Sequence, residues 1–138
     1  MIKLSTSDER DIETIQRWAE QDIDPAHHSV DPYWWLTGVE GSLLAFRVDD
    51  EHGPVGYMRI NREGDLCRLH TQFAPREDVQ KLRLVKAMIK CVPIVLDYSK
   101  QQQASMVVFQ STSELLIDFM KRKFGFEPAG GSDYQVKV

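Results

Sequence analysis

The sequence predicts a mixed α/β fold: a mostly antiparallel sheet with helices on both faces. Three strand-like runs follow one another with short turns between them, Ser42 to Val48, Val55 to Asn61 and Leu66 to Phe73. That is the pattern of an antiparallel meander. A helix-period run through Val79, Leu82, Val85, Met88, Ile89 and Val92 then leads to the near-continuous apolar run Ala104 to Gln110. This reads as a β–α–β crossover into a strand at the buried centre of the sheet. A length of 138 residues suits one domain over residues 1–138, with one sizeable core.

Each element has its own signal. Ile2 to Leu4 reads as a short strand. Thr6-Ser-Asp-Glu9 has the form of a capping box, in which the Thr6 hydroxyl and the Glu9 carboxylate each satisfy an orphan backbone donor. Ile12, Ile15, Trp18 and Ala19 recur at helical spacing to about Gln21. Asp24-Pro25, His27-His28, Asp31-Pro32 and Gly38 punctuate residues 22–41, with a short helix expected from Asp31 and Pro32 at its first position. Asp49 to Pro54 and Arg62 to Asp65 are the hairpin turns. Pro75 breaks the third strand, and the following helix is expected to run past Pro93 to about Ser99 with a kink. Ser111-Thr-Ser-Glu114 is a second capping-box pattern, opening a helix with Leu115, Leu116, Phe119 and Met120 inward and Gly125 as a left-handed cap. Tyr134 to Val138 alternates as a last strand, whose edge offers pairing in a homodimer.

Composition narrows the function. A formal net charge of −4 argues against general nucleic-acid binding. No apolar run reaches the roughly 20 residues of a membrane span, and the first residues lack a signal-peptide core. Cys67 and Cys91 stand outside any metal-ligand spacing and read as buried free thiols, which suits a reducing cytoplasm. His27-His28 has no third ligand at a useful spacing, so no metal is expected.

The end of the chain, Phe119-Met-Lys-Arg-Lys-Phe-Gly-Phe126, resembles the helix-ending Tyr-x-x-x-Gly-Phe signature of the GNAT acyl-CoA N-acyltransferases. Phe73-x-Pro75 and its long helix stand where that family places its pyrophosphate loop, and the order of elements matches over nearly the whole chain. The resemblance implies a GNAT-like fold with a splayed central strand pair, here 66–73 and 104–110. It implies acetyl-CoA as cosubstrate, with contacts near Thr71 and Phe73. It implies a small-molecule or protein amine as acceptor and transfer by direct attack. The family's loop reads Arg/Gln-x-x-Gly-x-Gly. The matching positions here are Asp78, Val79, Gln80, Lys81, Leu82 and Arg83, so the loop is degenerate. Val79 lacks glycine freedom and Asp78 adds a carboxylate, while Lys81 and Arg83 supply side-chain charge where backbone amides do not. The family's general-acid tyrosine falls on Lys121, whose alternative is a solvated charge complementing a helix C-terminus. The polar residue at the start of the same helix falls near Glu114, with Ser111 and Ser113 beside it.

Residue chemistry adds a candidate base. His70 lies on the strand beside the expected cleft, with a half-buried structural histidine as the alternative. Glu63 is weaker, and His52 lies in a polar turn. Alternation puts Arg68, His70 and Gln72 on one face and Cys67, Leu69, Thr71 and Phe73 on the other, so Cys67 and His70 form no nucleophile pair. Tyr33-Trp34-Trp35 stands where the family roofs its acceptor pocket; it either stacks on an acceptor or folds onto the sheet as apolar cover. Two functions follow: an acetyl-CoA-dependent N-acetyltransferase, or a GNAT-fold binding or structural module that has lost CoA chemistry.

Overall fold

In the computed structural model, residues 1–21, 31–36, 42–75 and 81–138 are described. The elements run β1 (Lys3–Thr6), α1 (Ile12–Glu20), β2 (Ser42–Asp50), β3 (Gly53–Glu63), β4 (Leu66–Phe73), α2 (Lys81–Gln101), β5 (Met106–Gln110), α3 (Glu114–Phe124), β6 (Glu127–Gly130) and β7 (Asp133–Lys137). Turns of 3-10 helix cover Glu9–Asp11 and Pro32–Trp35. The seven strands form one sheet in the order β1-β2-β3-β4-β5-β7-β6. Every pairing is antiparallel except that of β4 with β5.

The meander forms because its turns are short and its strands are apolar where they meet the core. Val55, Tyr57, Met58 and Ile60 of β3 are all but fully buried, so β3 is covered on both faces. One cover is α1, whose Trp18 ring lies 5.3 Å from that of Tyr57. The other is α2, which packs against β2 to β5 and buries Met88, Cys91, Val92 and Val95. Pro93 lies inside α2, which continues across it. Burial pushes the Cys91 thiol up to about 12, so it stays protonated.

A polar knot fastens α1 to the sheet. Asp11 is 3% exposed, and its Oδ1 accepts hydrogen bonds from the Tyr57 hydroxyl at 2.7 Å and from Arg47 Nη1 at 2.8 Å. Its Oδ2 accepts from the Asp8 backbone N–H at 3.0 Å. Burial works to raise the Asp11 carboxyl, but the Asp8 N–H, the Tyr57 hydroxyl and the Arg47 guanidinium together hold it below the ordinary carboxylate range.

Several sequence expectations need correcting. The first capping box is Asp8 with Asp11, not Thr6 with Glu9. Thr6 is still in β1, paired with Phe46, and the Ser7 hydroxyl donates to the Trp35 carbonyl at 2.7 Å. The cap of α3 is Ser113, whose side chain accepts from Leu116 N–H, while the Ser111 hydroxyl accepts from Ser113 N–H. Glu114 is therefore the first residue of the helix and takes no part in a box. Leu115 is 49% exposed rather than inward. The last strand has a partner the sequence did not show: β6 pairs with β7, so β7 lies between β5 and β6. Of the edge expected at Tyr134–Val138, the part at Tyr134 and Gln135 is thus occupied, and the outer strand there is β6. The expectation at Gly125 holds: its φ of 77° is left-handed, and its N–H closes the helix onto the Lys121 carbonyl at 3.1 Å.

Candidate functional site

The candidate site lies where β4 and β5 part. Their parallel pairing runs from Leu66↔Met106 to Leu69↔Phe109 and stops there. β4 itself continues, paired with β3 as far as Phe73↔Gly56. The upper half of β4 therefore has a strand on one side only, among the described residues.

The ladder phase says which backbone groups face that opening. Ala74 N–H donates to the Val55 carbonyl at 3.0 Å, and the β3–β4 register has no shift. Hydrogen bonding alternates along an antiparallel pair, so residues 70 and 72 share the phase of Ala74 and bond to β3. Thr71 and Phe73 have the opposite phase and turn their N–H and C=O toward β5, where no rung is formed. These are two of the residues expected at the cosubstrate. α2 packs across this line, against β4 and β5 alike.

His70 lies at the point of divergence, on the sheet face covered by the Pro32–Trp35 turn. Trp34 meets it edge-on with ring centroids 4.7 Å apart. Trp34 also lies under the Arg59 guanidinium at 4.0 Å, and Arg59 Nη1 donates to the Trp34 carbonyl. The aromatic segment is thus folded onto the sheet, with Tyr33 left 53% exposed. Burial first, then the cations of Arg68 and Arg59, push the His70 imidazole down to about 4. It is neutral through the physiological range, so it accepts a proton only weakly.

This shift predicts a pH dependence. The folded chain keeps His70 neutral, while the unfolded chain protonates it from its ordinary 6.5. Stability is fully present above pH 6.5 and falls as pH drops toward 4. Because His70 is only partly enclosed, we expect a loss of about 2 kcal/mol over that window. His70→Gln should flatten the urea midpoint between pH 6.5 and 4; a wild-type profile already flat there would refute the shift.

The other expected residues are spread around the opening. Glu114 and Lys121 are exposed on α3 and line one hollow of about 490 Å³ with Leu115, Asp118 and Tyr134. That hollow lies over β7, on the far side of β5 from β4. Lys81 and Leu82 are exposed at the start of α2. Arg83 is held by Asp50, with Nη2 to Oδ1 at 2.7 Å, and this ion pair lowers the Asp50 carboxyl. Arg83 borders a second hollow of about 580 Å³ with Trp18, His52 and Ala74. Its charge is therefore paired on the β2 side of the sheet, while Lys81, the other half of the expected Lys81/Arg83 pair, is exposed. Val79 and Gln80, with Arg76 to Asp78, His27-His28 and Gly38, lie outside the described residues. Arg68 is occupied by Glu63 at 2.7 Å and Asp133 at 3.1 Å, which also engages Glu63. Among the described residues no cluster of three or more His, Cys, Asp or Glu could hold a metal, and no helix is long and apolar enough to cross a membrane.

Sequence reasoning missed Gly56, which stands opposite Phe73. The signal was present: a lone glycine inside a strand often marks a close approach.

No family model and no curated protein sequence matches the chain. Solved structures do. The ribosomal-protein-S18-alanine N-acetyltransferase from Escherichia coli superposes with a TM-score of 0.73 at 13% identity, covering 100% of this chain and 94% of that one. The spermidine/spermine N-acetyltransferase SpeG from Vibrio cholerae gives 0.69 at 11% identity, covering 99% and 95%. A GNAT family acetyltransferase from Brucella melitensis in complex with acetyl-CoA gives 0.63 at 13% identity, covering 99% and 88%. The chain has the GNAT fold, and identities this low speak to the fold alone.

Proposed function

We propose that the protein is an acetyl-CoA-dependent N-acetyltransferase that acts on a small-molecule or protein amine. The observation that carries this reading is the end of β4–β5 pairing at Leu69↔Phe109. Beyond it, the phase of the ladder opens the N–H and C=O of Thr71 and Phe73 to a ligand. The pantetheine arm of CoA is an extended chain with two amides, and such a chain pairs well with an unpaired strand edge. Neighbours with the same fold include acetyltransferases named for a protein alanine and for spermidine, and one holding acetyl-CoA.

The residues divide the work as follows. Backbone N–H groups at the divergence polarise the thioester carbonyl. The acceptor nitrogen attacks that carbonyl, the C–S bond breaks, and the amine proton leaves to water, which the neutral His70 imidazole orients as a hydrogen-bond acceptor. Lys121 is the candidate to return a proton to the departing thiolate, and does so only by reaching across β5 from the hollow over β7. Lys81 and Leu82, with Val79 and Gln80 before them, border the phosphates, and Glu114 caps the other wall. Arg83 reaches a phosphate only by leaving Asp50. The second reading, a GNAT-fold module without CoA chemistry, is favoured by that ion pair and by lysine at position 121.

Thermal unfolding with acetyl-CoA tests the first reading. At ten times the dissociation constant, binding adds about 1.4 kcal/mol, a rise of roughly 3–5 °C for a chain of this size. Acetyl-CoA binding with CoA release on adding amines supports the transferase. Binding without release from a broad amine panel supports the module. No shift at millimolar acetyl-CoA overturns the transferase reading and leaves the module without CoA chemistry.

A further inference from the structure

Gly56 is buried in the middle of β3, where a missing side chain normally weakens a strand. Its φ lies outside the left-handed range, so the backbone itself does not demand glycine. What occupies the vacant space is a ring. Phe73 Cδ1 lies 3.1 Å, and Cε1 3.5 Å, from the position a β-carbon at Gly56 would take. The two residues are directly opposed, in the non-hydrogen-bonded phase where side chains come closest. The ring of Phe73 therefore leans across β3, away from the open side of β4.

We propose that Gly56 is a positioning residue for the cleft: by leaving a seat for the Phe73 ring on β3, it keeps that ring out of the opening its own backbone lines. This rests on the acyl-CoA reading. A side chain at position 56 displaces the ring. β3 blocks its return on one side, so the space left to it is toward the cleft or under α2. In either case the Phe73 backbone is pulled from the line it shares with Thr71. The geometry thus ties a residue that touches no ligand to the width of the slot.

Titration of acetyl-CoA into the full chain tests this. Gly56→Val introduces a residue well suited to strands yet fills the seat, and affinity should fall about tenfold. Gly56→Val with Phe73→Ala should bind within about threefold of Phe73→Ala alone, because no ring is left to be displaced. Should Gly56→Val fail to fold, Gly56→Ala carries the same comparison, since it asks the ring to give by only a few tenths of an ångström. The ligand-free proteins give a second readout: the two substitutions should be coupled in their urea midpoints. Wild-type protein without affinity for acetyl-CoA overturns the acyl-CoA reading, and the slot role with it. Wild-type protein that binds, beside a Gly56→Val variant that binds equally well, overturns the role of Gly56 alone. A double variant as weak as Gly56→Val does the same, because the ring is then not the obstruction.

Discussion

Asp11→Ala is expected to destabilise the protein by about 3–4 kcal/mol, the scale for removing one partner of a buried, hydrogen-bonded ion pair. The carboxylate collects donors from three elements: the Asp8 N–H, Tyr57 on β3 and Arg47 on β2. Its loss leaves the Tyr57 hydroxyl without this acceptor on a residue that is 0% exposed. Arg47 keeps Asp49 at 2.9 Å, which limits the damage on that side. Asp11→Asn keeps the shape but removes the charge and should recover only part of the loss. Adding Tyr57→Phe to Asp11→Ala should recover about 1 kcal/mol, because an orphaned buried hydroxyl disappears. Urea midpoints at neutral pH check all three; an Asp11→Ala midpoint equal to wild type would mean that the knot adds nothing to stability.

Thr71→Pro is expected to abolish the thermal shift with acetyl-CoA while the chain still folds. Proline removes a backbone donor, and its cost depends on where that donor points. At Thr71 it points into the opening, so the β3–β4 ladder keeps its bonds. At Gln72 the same substitution strikes a rung to β3, and Gln72→Pro should cost about 3 kcal/mol or more. The pair therefore reads the ladder phase directly. If Thr71→Pro unfolds the protein as Gln72→Pro does, the assignment of the Thr71 N–H to the opening is wrong. If Thr71→Pro folds and still binds acetyl-CoA, the ligand does not use that donor.

Local chemistry was legible in the sequence wherever one short stretch decides the outcome. The hairpin turn at Arg62 to Asp65, the first-position Pro32, the apolar Val107 to Phe109 and the left-handed Gly125 all follow from neighbours within a few residues. The first capping box was displaced, and the second gave way to a single Ser113 cap, because several short polar residues crowd each helix start. Strand pairing at Thr6 and the Ser113 cap decided between them. β6 escaped notice because Glu127 to Gly130 is wholly exposed and carries no apolar alternation to read. For the candidate site, Thr71 and Phe73 came from the resemblance, and register shows that their backbone groups face the side where β5 is not paired. The commitment of Arg83 to Asp50 and the knot around Asp11 join residues 33 to 46 positions apart, which no local pattern reveals.

The line along which β4 and β5 separate is also the boundary between two differently built parts of the sheet. Before it, four strands are joined mostly by tight hairpins; after it, β5 to β7 are reached only through α2 and held to β4 by four paired residues and the Arg68–Asp133 ion pair. Such a join favours sub-global opening, in which the later strands exchange their amide protons without the earlier ones unfolding. A guest lodged there would act as mortar between the two parts. Deuterium uptake across Met106–Lys137 should then slow in its presence, even in strands the guest never touches.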